Sequence, residues 1–134
     1  MPPRAKSGAF RGADWRLAAP LFAHSMTVQA LTGVLRVTTS YRVLELELPV
    51  VWLGAISATF ALLPIFIAVS VGRYIDMGND ARATRIGTSI MLAGAIGLFY
   101  AKTGVAVLGF TCVLGVGHLF LMAAHQMQIG RAHV

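Results

Sequence analysis

Charged side chains are scarce in this sequence. They make up 12% of it, and only five are acidic. An ordinary water-facing surface draws on about a quarter of charged residues, so a soluble globular fold is poorly supplied. Cysteine is almost absent as well. The lone Cys112 excludes an intramolecular disulfide, and its place inside an apolar run makes it a small packing residue. No nucleotide-binding loop, no pair of carboxylates within an apolar run and no nucleophile-and-base pattern occurs. The sequence therefore offers no catalytic residues, no metal site and no cofactor, and an enzyme is not expected.

What the chain has in quantity is apolar residues, 57% of the total. They fall in runs of about 20, the length a helix needs to cross a hydrocarbon layer of about 30 Å. The expectation is an all-α polytopic membrane protein with four transmembrane helices, at residues 17–39, 50–72, 84–101 and 105–126. Between the last two stand only Lys102, Thr103 and Gly104, a turn short enough to force an antiparallel pair.

The eleven Lys and Arg give a net charge of +6 but are spread over the N-terminus and the short loops. Phosphate binding wants a concentrated patch, so nucleic acid is not an expected partner and the lipid bilayer is. Residues 1–16 hold Arg4, Lys6, Arg11 and Arg16 and read as a basic cytoplasmic tail, not a cleaved signal peptide. Arg73, Arg82 and Arg85 bracket the loop at 73–83 and place it on the same side, while the loop with Glu45 and Glu47 is outside. This predicts a multi-pass protein of the cell (inner) membrane with its N-terminus in the cytoplasm.

Within the first span, Ser25, Gln29, Thr32 and Arg36 follow the spacing i, i+4, i+7, i+11 and fall within roughly 60° of one another on the helix. Lipid penalises such a stripe, so it faces other helices or a water-filled cavity. Helix-to-helix hydrogen bonding, with Arg36 snorkelling to the outer interface, is the plainer alternative. His118 and His125, seven apart on the fourth span, share a face, and His118 joins the cavity-lining candidates. Pro64 removes one backbone hydrogen bond from the second span and is expected to kink it. Gly54 with Ala58, Ala93 with Gly97, and Gly109, Gly115 and Gly117 put small residues where backbones can approach.

The segment Gly72-Arg73-Tyr74-Ile75-Asp76-Met77-Gly78-Asn79-Asp80-Ala81-Arg82 resembles the loop motif between the second and third spans of the major facilitator superfamily. Gly72 and Asp76 match its first and fifth places, and Arg82 and Arg85 stand for its basic residues. Ser40-Tyr41-Arg42, Phe60-Ala61-Leu62-Leu63-Pro64 and Leu114-Gly115-Val116-Gly117-His118 look similar to other stretches of that family. The resemblance implies a twelve-span carrier built of two six-helix halves, of which this chain supplies about the first four spans. It implies transport of a small solute, coupled to a proton or another ion, by alternating access. Gly72, Asp76 and Arg82 then form a conformational latch in the loop, with Asp76 capping a helix or pairing with an arginine of a neighbouring helix.

The terminal Ile129-Gly130-Arg131-Ala132-His133-Val134 coincides with one reading frame of a common short-read sequencing adapter. The expectation is that residues 129–134 are an artefact and the chain a fragment. The alternative is a complete small four-span protein acting as a structural or interaction module.

Overall fold

Four helices carry the described residues, joined by turns so short that each must fold back on its predecessor. The computed structural model describes residues 15–131, and they form an all-α fold: α1 (Trp15–Glu45), α2 (Val51–Tyr74), a π-turn (Ile75–Asn79), α3 (Asp80–Tyr100) and α4 (Gly104–Arg131). Residues 1–14 of the expected tail and 132–134 of the expected artefact lie outside the described residues. Two stretches, Val51–Tyr100 and Gly104–Gln128, are long and apolar enough to cross a membrane. The first bends sharply at Gly78, whose φ is 84°. α1 is longer than α2 but its length is shared with His24, Gln29, Arg36, Ser40 and four threonines.

α4 is the central element, packed against α3 and α2 and more lightly against α1, while α1 barely touches α2. At one end of the bundle Val43, Ile56, Leu98, Ala101, Val107 and Leu114 form a core; at the other, Val71, Ile75, Ala83 and Ala124 do. Between them Val28, Met91 and Leu121 tie α1, α3 and α4 together.

The first helix continues to Glu45, past the expected end at 39, and closes with a backbone motif the sequence pattern hides. The Leu48 N–H donates to the Val43 carbonyl (3.1 Å) and the Glu47 N–H to that of Leu44 (3.0 Å). This is a Schellman closure, with Glu47 in the left-handed position at φ 52° and Val43 and Leu48 in the same apolar cluster. The α3-to-α4 turn is held from both sides. Thr103 caps α4, its Oγ1 accepting from the Ala106 N–H at 3.3 Å. Arg42 donates from Nε (3.0 Å) and Nη2 (2.7 Å) to the Ala101 carbonyl just beyond the end of α3.

The loop expected at 73–83 is mostly helix, a correction to the sequence reading. α2 runs to Tyr74 and α3 starts at Asp80, leaving the π-turn between them. Gly78 makes this possible because only a residue without Cβ takes a positive φ at little cost. Asn79 Nδ2 then donates to the Tyr74 carbonyl at 3.2 Å, covering one of the acceptors that the end of α2 leaves open.

The small residues need a second correction. Among the described residues nothing comes within 4 Å of a would-be Cβ at Gly54 or Gly109, and Ala58 and Ala93 are exposed. Gly97, Gly115 and Gly117 do sit at close approaches, joined by Gly87 and Gly94. α3 presents Gly87, Gly94 and Gly97 to Phe120, Leu114 and Phe110 of α4. Pro64 lies inside α2 and cannot donate to the Phe60 carbonyl. That orphan oxygen occupies the place a Cβ would take at Gly115, so the glycine lets α4 close over the gap the proline makes.

Candidate functional site

The polar stripe of α1 meets the rest of the bundle at two of its four positions. Thr32, 7% exposed, has its Oγ1 2.8 Å from the Val28 carbonyl and 3.1 Å from His118 Nδ1. One turn on, the Arg36 guanidinium lies over the Phe60 ring, 4.7 Å from its centroid. Phe60 also faces His118, with the ring centroids 5.8 Å apart. Thr32, Arg36, Phe60 and His118 thus bring α1, α2 and α4 to one place.

Beside this cluster opens a cleft of about 190 Å³, lined by Leu35, Arg36, Thr39 and Ser40 of α1, Leu53, Ile56, Ser57 and Phe60 of α2, and Thr111 and Leu114 of α4. Its hydroxyls are arranged with a bias. Thr39 donates to the Leu35 carbonyl (2.7 Å), Ser40 to that of Arg36 (3.2 Å) and Thr111 to that of Val107 (2.7 Å). With their protons committed to the helix backbones, these three present lone pairs to the cleft.

The remaining site candidates are placed differently. Ser25 is half-buried and Gln29 exposed, and neither makes a side-chain hydrogen bond among the described residues. His125 is buried at 5% exposure, with its ring 4.9 Å from that of His24, away from His118. Gly72 is half-buried, and Asp76 and Arg82 are exposed without an ion pair or side-chain hydrogen bond among the described residues. No group of three or more metal-ligating side chains occurs among the described residues.

Thr39 and Ser40 continue the stripe at i+7 and i+8 from Thr32, so their place in the cleft was readable from spacing. Ser57, Phe60 and Thr111 carry no such signal, because which face of α2 and α4 meets α1 is decided only by packing. Arg42 falls in the loop expected between the spans at 17–39 and 50–72, and its capping contact with Ala101 depends on the turn 59 positions away.

Fold and site together define, over the described residues, an all-helical arrangement with two membrane-length apolar stretches and a polar cleft where three helices meet. Comparison with protein-family models, with curated proteins and with solved structures finds no match to this chain.

Proposed function

We propose that this chain forms the first four spans of a secondary carrier of the major facilitator type, which moves a small solute across a membrane by alternating access, coupled to a proton or another ion. All four helices cross the bilayer, with the N-terminus and the π-turn in the cytoplasm and the Arg42 end outside. The observation that carries this reading is the polar cleft itself. Arg36, Thr39, Ser57 and Thr111 converge from three helices whose other faces expose large apolar side chains such as Val37, Phe66 and Val105. Polar groups turned toward a cavity and apolar ones toward the surroundings is the pattern lipid imposes on a transport protein.

The Gly72-to-Arg82 segment supports the same reading through the shape of its turn, since Gly78 and Asn79 close it tightly while Asp76 stays exposed and available to a helix outside these four. The remaining spans would complete the cavity.

Reading the source gene through the codon for Gln128 tests the proposal. A frame that continues into about eight further apolar spans supports it. A stop codon after Val134 overturns it and leaves a small four-helix membrane module.

A further inference from the structure

Arg36 carries a charge that nothing else in the described chain answers. Its guanidinium makes no hydrogen bond or ion pair among the described residues, and its contact is the face of Phe60. The described carboxylates, Glu45, Glu47, Asp76 and Asp80, all stand at the two ends of the bundle. Glu45 is the nearest along α1, about 13 Å away by helical rise, and it pairs with Arg42. Arg36 is exposed and lines the cleft, so it stands there as an uncompensated cation open to an anion.

The cleft specifies the anion further. Its donors are the Arg36 fork, which matches a carboxylate bidentately, and the Ser57 hydroxyl, which makes no hydrogen bond among the described residues. Thr39, Ser40 and Thr111 offer only lone pairs, having given their protons to the backbone. A bare carboxylate leaves those acceptors unanswered. A ligand with an O–H or N–H beside its carboxylate answers both sets, and the walls of Leu53, Ile56 and Leu114 take an apolar body.

We infer that the cleft between α1, α2 and α4 binds a small organic acid that bears a hydroxyl or amino donor next to its carboxylate, with Arg36 holding the carboxylate. That this acid is the solute carried rests on the carrier reading above; the binding site does not.

The test is equilibrium binding of radiolabelled mandelate to the 134-residue chain in lipid nanodiscs, beside phenylacetate, which lacks the hydroxyl, and mandelamide, which lacks the charge. Saturable mandelate binding is expected, at least about tenfold tighter than mandelamide and about threefold tighter than phenylacetate. Arg36→Gln should lose about tenfold or more, while Lys102→Gln, on the α3-to-α4 turn and outside the cleft lining, binds like the parent chain. Equal binding of mandelate and mandelamide, or an unchanged Arg36→Gln variant, overturns the inference. If Arg36→Gln loses its helical circular dichroism, the exposed Ser57→Ala decides: binding weakened about threefold supports the site, and unchanged binding overturns it. A gene that stops after Val134 while mandelate still binds through Arg36 sinks the carrier and keeps the site. Absent mandelate binding in a gene that runs on to further spans does the reverse.

Discussion

The Thr32 hydroxyl has one proton and two neighbours that could use it. The Val28 carbonyl, at 2.8 Å, takes it, so the 3.1 Å contact with His118 is made by an Nδ1–H donating to Thr32 Oγ1. His118 Nε2 is then left with a lone pair whenever the ring is neutral. Thr32→Val removes the acceptor, and the expected result in the ¹⁵N spectrum of labelled histidine is loss of the single preferred tautomer. An unchanged His118 signal would show that Thr32 does not set it. Gly115 is a second position where one atom decides. Gly115→Ala drives a methyl into the Phe60 carbonyl oxygen, which the preceding turn of backbone holds in place. Overpacking of this kind costs about 1–3 kcal/mol, measurable as a lowered midpoint in detergent-mediated unfolding followed by circular dichroism. Gly54→Ala, with open space at its Cβ, should leave the midpoint in place or raise it slightly.

At the level of helices, the ends matter more than the middles. Arg42 reaches from α1 to the carbonyl where α3 stops, a cation at a helix C-terminus making two charge-assisted hydrogen bonds. Arg42→Ala should destabilise the fold by about 1–3 kcal/mol in the same unfolding measurement. Glu45→Gln should shift it little, because Glu45 is 66% exposed and its pair with Arg42 is screened. Glu47 sits in the left-handed conformation that closes α1, a place where a side chain costs about 1 kcal/mol. Glu47→Gly is therefore expected to raise the unfolding midpoint, and a lowered midpoint would mean that the Glu47 side chain makes a contact worth more than the strain.

For the whole molecule, the connection of α3 to its neighbours sets which ends lie together. The π-turn and the Lys102 turn are at opposite ends of α3, so a membrane-spanning α3 must put them on opposite faces of the bilayer. In a Cys112→Ser background, an impermeant maleimide should label Lys102→Cys in intact cells and Asp76→Cys only after permeabilisation. Labelling of both from outside would show that α3 does not cross.

Hydropathy made the helical class legible, because apolar runs of about 20 residues leave a chain few other ways to satisfy its backbone. The spacing of Ser25, Gln29, Thr32 and Arg36 likewise revealed a polar stripe on α1, since helical periodicity is a local property. Helix ends were less legible. Val43 to Leu48 close α1 through a backbone geometry that Glu47 adopts without the usual glycine, so no residue type announced it. The loop expected at 73–83 became a tight turn because Gly78 reverses the backbone in one step and Asn79 caps what it exposes. Tertiary structure alone decided which side chains of α2 and α4 face the stripe. Thr32 and Arg36 met His118 and Phe60 while Gln29 made no side-chain hydrogen bond among the described residues, because Gly115 lets α4 close on α2 at Phe60, and such contacts between distant residues leave no period in a sequence.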